Sequence, residues 1–128
     1  MLIEPEKVLH PELSYKICGL LYSIHNELGP ERNEMSYADA LEQKLNQENI
    51  SYEREKSLPA SFQGERLRRN VPDFIIQGII IIDLKAKRAV TKEDYFQMKR
   101  YLASSGIKLG IIANFRQKYL YPKRILHS

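Results

Sequence analysis

Val71–Lys87, VPDFIIQGIIIIDLKAK, decides how this chain folds. Two β-branched apolar runs, Phe74-Ile75-Ile76 and Ile79–Ile82, flank Gln77-Gly78, a dipeptide suited to a tight hairpin turn. Runs this continuous suit central strands covered on both faces. A hairpin centred on Gly78 pairs Ile76 with Ile80 and Ile75 with Ile81. Two steps further it sets Asp73 opposite Asp83, with Cβ atoms about 4.5–5.5 Å apart. Side chains on a strand alternate, so Lys85 shares the face of Asp83. A slip of one residue would destroy this arrangement.

Working outward, Pro11 to Leu28 carries Ile17, Leu20, Leu21, Ile24 and Leu28 at helical spacing, and Gly29-Pro30 stops it. A second helix runs from about Asn33, its N-cap, to Gln47 and buries Tyr37, Leu41 and Leu45. Ile50 to Leu58 then reads as an edge strand, Phe62–Glu65 as a turn, and Arg66 to Ile76 as the strand entering the hairpin. Ile79 to Ala86 is the third strand of this meander. Thr91-x-x-Asp94 opens a helix as a capping box and Gly106 closes it, with Tyr95, Met98 and Leu102 expected inside. Leu109–Asn114 and Tyr119–Ile125 complete the set. The order predicts an α/β fold: a mixed central sheet of an antiparallel three-stranded meander, a crossover helix and further strands, flanked by helices.

At 128 residues, 43 % apolar and 28 % charged, the chain has the profile of one soluble globular domain over 1–128, with 1–10 as an irregular lead-in. Its apolar runs are too short to cross a bilayer, and no signal-peptide core precedes them. Cys18 is the one cysteine, which excludes a disulfide framework and suits a reducing cytoplasm. A net charge of +4 favours nucleic acid weakly. The three histidines, His10, His25 and His127, are too scattered for a metal cluster.

The chemistry lies in the acids. Two carboxylates in contact do not both stay ionised cheaply unless a cation neutralises them. Oxygen-only ligands select hard Mg2+ or Mn2+ over zinc. Lys85 beside them suits orientation of a water or stabilisation of charge developing on phosphorus. Gln97 and Tyr101 share a face of the crossover helix at i, i+4, and Glu34 starts the second helix. Each also has a plainer reading: a solvated strand exit, a half-buried amphipathic helix, and an acid favoured by the helix dipole.

Asp73 with Asp83-Leu84-Lys85, followed by Gln97-x-x-x-Tyr101, resembles the PD-(D/E)xK nuclease superfamily. Within it, His25–Pro30, Glu34–Leu41, Tyr101-Leu102 and Gly110–Phe115 resemble the small GxxExxY proteins, so the likeness spans about Tyr15 to Phe115. Three positions depart from that pattern: Glu31 stands at its first glycine, Val71 at a usual arginine, with Arg68 and Arg69 further back, and Asp83 is the shorter permitted acid.

The resemblance implies a restriction-endonuclease-like core and metal-dependent cleavage of DNA, in preference to RNA. Asp73, Asp83, Glu34 and the Leu84 carbonyl are then the metal ligands. Asp73, Asp83, Lys85 and Gln97 form the catalytic set. Tyr101, Lys87, Arg88, Lys99 and Arg100 are candidate nucleic-acid contacts, or else an ordinary basic surface. A homodimer or protein partner would complete the groove. The alternative is a nucleic-acid-binding or regulatory module that keeps the fold without turnover.

Overall fold

The period-2 runs and the helical stripes assemble into three layers. The structure, a computed structural model, describes residues 9–127, so most of the lead-in expected over 1–10 lies outside the described residues. Helices α1 (Pro11–Leu28) and α2 (Glu34–Gln47) precede strands β1 (Tyr52–Arg54), β2 (Phe74–Ile76) and β3 (Ile80–Lys85). Helix α3 (Lys92–Ser105) crosses over to β4 (Leu109–Asn114), and β5 (Lys123–Leu126) ends the sheet. The sheet order follows the chain, with β3 and β4 parallel and the other neighbours antiparallel. This is the mixed sheet flanked by helices that the sequence predicts, consistent with a restriction-endonuclease-like core.

Alternation along β3 and β4 sorts the core. Ile80, Ile82, Leu84, Leu109, Ile111 and Ala113 pack under α1 and α2, whereas Ile81 and Ile112 pack under α3 with Met98, Tyr101 and Leu102. Asp83 and Lys85 are in phase with Ile81, so they face α3. Gly110 makes room for that helix: a Cβ there would lie 2.4 Å from the Met98 sulfur.

The hairpin register is the expected one, with Phe74 opposite Ile82, Ile75 opposite Ile81 and Ile76 opposite Ile80. Gln77 and Gly78 both take positive φ, 51° and 69°, the signature of a type I′ turn. Asn33 caps α2 through Ser36 N–H at 2.9 Å, and Thr91 with Asp94 forms the capping box of α3.

Strands β1 and β2 are much shorter than the sequence suggests. Their ribbon continues through Glu55 N–H to Asp73 O at 3.0 Å and Leu58 N–H to Asn70 O at 2.7 Å. Glu55 has a left-handed φ of 56°, which bends the chain and ends the regular ladder. Side-chain bonds then take over. Ser104 Oγ donates to Pro59 O, and Tyr101 Oη donates to Val71 O at 3.4 Å, tying this ribbon to α3.

Tyr37 locks α2 to the turn before it. Its hydroxyl donates to Gly29 O and accepts from Arg32 N–H at 3.1 Å, while its ring stacks on Phe115 with centroids 4.2 Å apart. Tyr37→Phe leaves the part-buried Gly29 carbonyl and the Arg32 amide without this partner and is expected to lower stability by about 1–2 kcal/mol in urea denaturation. An unchanged midpoint would mean that water replaces the hydroxyl.

Candidate active site

The acid pair sits where the hairpin runs out. One step beyond Phe74–Ile82, Asp73 and Asp83 clasp each other's strands. Asp73 N–H donates to Asp83 Oδ1 at 3.1 Å, and Leu84 N–H donates to Asp73 Oδ2 at 2.7 Å. Each carboxylate thereby spends one oxygen on backbone and keeps one, Asp73 Oδ1 and Asp83 Oδ2. Burial, and then the charge of Asp73, push the Asp83 carboxyl up to about 7. Burial likewise raises Asp73, against the Leu84 amide and Lys85, which oppose it.

Lys85 emerges on the same face. Its Nζ lies 3.5 Å from Asp83 Oδ2, 3.3 Å from Gln97 Oε1 and 3.7 Å from Asp94 Oδ1. Burial works against its charge, but Asp83, Asp94, Glu34 and Asp73 together hold its pKa above the ordinary lysine range. Asp94, read from the sequence as a helix cap, is buried and does both jobs. One oxygen takes the Thr91 amide at 2.8 Å and pairs with Lys87, and the other faces Lys85. Burial opposes its ionisation, yet Lys87, the Thr91 amide and Lys85 hold its pKa below the usual range. Tyr95, expected inside, is instead exposed, because α3 is rotated to turn Asp94 inward.

Glu34 approaches from α2. It shares a cavity of about 80 Å3 with Met35, Ala38, Arg54, Glu55 and Asp73. Burial and the charge of Asp73 raise its pKa, while Lys85, the Ala86 amide and Lys87 oppose the rise. Arg54 is spent on Glu42 at 2.7 Å and Asp39 at 3.0 Å. Glu55 is a third acid at this cavity, and it also raises Asp73. Sequence reading missed it, since a glutamate at a strand end carries no signal of its backbone turn.

The candidate basic contacts divide. Lys87 is drawn in by Asp94, and its backbone is clasped by the Asn114 side chain at 3.1 and 2.8 Å. Arg88 is exposed just beyond, its carbonyl held by Gln117 at 2.8 Å. Tyr101 backs the site: burial, then Asp83 and Asp73, keep its hydroxyl protonated far above the usual tyrosine range. Lys99 points away, donating to Leu126 O at 2.8 Å, by the end of the sheet where Leu109 pairs with Leu126. Arg100 has a buried Nε and acts electrostatically on Glu65 of the β1–β2 ribbon. Successive residues turn about a hundred degrees round α3, so Tyr101 stays on the face beside the acids while Lys99 and Arg100 are carried onto other faces.

A divalent cation fits the chemistry of this donor set: Asp73 and the buried Asp83 each keep one oxygen off the backbone, that of Asp83 facing Lys85 at 3.5 Å, and Glu34 lines the cavity beside Asp73. Among the described residues no three or more His, Cys, Asp or Glu side chains already converge as a metal-binding group, so Glu34 would have to close in. Cys18 is half-buried with its thiol pKa raised by burial, and takes no part. No helix among the described residues is long and apolar enough to cross a membrane.

No curated protein and no solved structure matches the chain. Against protein families, residues 11–125 match the PD-(D/E)XK nuclease superfamily. That span holds every element of the sheet through Ile125, the clasped acids and the lysine between Asp83 and Gln97, and on it the chain belongs to the PD-(D/E)XK nuclease superfamily.

Proposed function

We propose that the protein is a metal-dependent nuclease that hydrolyses phosphodiester bonds, with DNA ahead of RNA as substrate. The observation that carries this reading is the Asp73–Asp83 clasp with Lys85 beside it. A buried carboxylate, Asp83, held against a half-buried one, Asp73, is costly in the apo protein, and a cation relieves that cost. Asp73 and Asp83 would hold Mg2+ or Mn2+ with the Leu84 carbonyl, and Glu34 would add a ligand from α2. The cation supplies Lewis acidity toward the phosphate and acidifies water. Lys85, steered by Gln97 and Asp94, donates to the water or to the phosphate oxygens as negative charge grows on them. Asp94 turns the lysine without touching the substrate. Tyr101 supports the chain entering Asp73.

Within the superfamily we place the chain with the small GxxExxY proteins. Support comes from α2, where Glu34 faces the cavity and Tyr37 bonds the preceding turn. A second copy completing the substrate groove and a reducing cytoplasmic setting belong to the same reading. A module without turnover would have no need to keep both acids, the lysine and Gln97 in contact.

The test is incubation with single- and double-stranded DNA and RNA in Mn2+, Mg2+ or EDTA. Cleavage in the metals and none in EDTA is expected. Products that persist in EDTA, or binding with no products under any metal, would overturn the proposal.

A further inference from the structure

The ribbon beyond β1 and β2 ends in a tip that is built rather than loose. Glu65 is buried, and its Oε1 accepts from Ser61 N–H at 2.6 Å, Ser61 Oγ at 2.9 Å and Asn70 Nδ2 at 2.8 Å. Those bonds hold its pKa low, so the acid stays charged as the hub of the tip. Arg69 N–H donates to Arg66 O at 3.3 Å, closing a turn in which Arg68 adopts a φ of 61°. A non-glycine residue held there signals a conformation imposed by its surroundings.

The turn presents four side chains outward: Arg66, Leu67, Arg68 and Arg69. Leu67 is 88 % exposed. Among the described residues the three guanidinium groups have no ion pair or hydrogen bond. The nearest acid in sequence, Glu65, is turned inward, so no acid among the described residues pairs with these charges. Arg69 precedes Asp73 by four residues, which limits their Cα separation to about 14 Å even if fully extended. A concentrated, uncompensated positive turn that close to a phosphodiester-cleaving site complements the backbone flanking the cleaved bond. Guanidinium forks suit phosphate oxygens in bidentate fashion.

We propose that the Arg66–Arg69 turn is a nucleic-acid contact in which Arg66, Arg68 and Arg69 bind phosphates beside the scissile one and Leu67 packs against sugar or base. This assignment rests on the nuclease reading. It is tested by fluorescence anisotropy with labelled single-stranded and duplex DNA and RNA of one sequence, in EDTA, across about 50–300 mM salt. The proteins are wild type, Arg66→Ala/Arg68→Ala/Arg69→Ala and Leu67→Ala.

The triple variant is expected to weaken binding at low salt by at least about tenfold and to flatten the dependence of log K on log salt by about 2–3. Leu67→Ala is expected to weaken binding with the slope unchanged. All four side chains are exposed, so wild-type melting should be retained and a folding defect excluded. A triple variant that binds like wild type with the same slope overturns the contact, whether the turn then faces an acidic protein or nothing. Wild type that binds no nucleic acid overturns both the contact and the nuclease reading. Wild type that binds through the turn yet never cuts sustains the contact and overturns nuclease activity alone.

Discussion

Lys85→Met is expected to lower the rate of phosphodiester cleavage by at least about 10²-fold while substrate affinity stays within about threefold of wild type. The amine is placed for the reacting phosphate and not for its flanks: Nζ lies 3.5 Å from Asp83 and 3.3 Å from Gln97, and the side chain is mostly buried. A donor aimed at charge that appears only in the transition state affects turnover more than binding. Methionine keeps the apolar stem against α3 but leaves Asp83 and Asp94 without one cation each. Lys87 still neutralises Asp94, so the cost in stability is moderate, about 1–3 kcal/mol, and assays belong well below the variant's melting temperature. Lys85→Arg should not restore turnover, because the planar guanidinium spreads the charge over a fork too wide for the space between Asp83, Asp94 and Gln97. Single-turnover cleavage beside anisotropy separates the two quantities. Turnover within about threefold of wild type would remove Lys85 from the chemistry and place the reaction elsewhere.

The parts of the site that were legible in the sequence are those fixed by short-range geometry. A short turn centred on Gly78 between isoleucine runs admits few registers, and the one with Ile76 opposite Ile80 sets Asp73 against Asp83. Period-2 alternation then puts Lys85 beside them. Thr91 and Asp94 were readable as a capping box, but the local pattern does not reveal that Asp94 also reaches Lys85 and Lys87. That depends on how α3 is rolled against the sheet. A roll that buries Asp94 exposes Tyr95, roughly a hundred degrees round the helix. Lys99 and Arg100 illustrate the same limit, since a basic helix looks uniform in sequence while only the face carrying Gln97 and Tyr101 lies near the site. Glu55 is a different case. Its left-handed backbone bends the ribbon and brings a third carboxylate to the cavity, and nothing local to Arg54-Glu55-Lys56 encodes that bend. The shortened β1 and β2 follow from the same residue, with the Glu65–Asn70 hub supplying bonds that a ladder would have made.

Asp83→Asn is expected to make the metal-free protein more stable at pH 8 and, at the same time, to abolish stabilisation by Mn2+. The sign follows from the raised carboxyl. Asp83 moves from an ordinary 3.8 to about 7 on folding, because burial and Asp73 disfavour its charge. Between those values the folded protein holds a proton that the unfolded chain has released, so stability falls as pH rises through the window. Above it the full penalty stands, on the order of 4 kcal/mol. Asparagine removes the ionisation and keeps an oxygen to accept from the Asp73 amide, the bond that closes the clasp. The variant should therefore recover a large part of that penalty at pH 8, and differ little from wild type at pH 4, where Asp83 is protonated in the folded state. Other groups titrate too, so the informative quantity is the difference between the two proteins measured by urea denaturation at each pH. Metal reverses the order. Wild type at pH 8 with Mn2+ at a hundredfold excess over Kd gains about 2.7 kcal/mol, since the ion binds the folded state and offsets the repulsion of the pair. The variant, with one acid of the clasp gone, gains close to nothing. Equal pH profiles for the two proteins would mean that Asp83 is not the strained acid. Equal Mn2+ stabilisation would mean that the cation binds elsewhere, and the clasp would then be a structural device of the hairpin instead of a metal site.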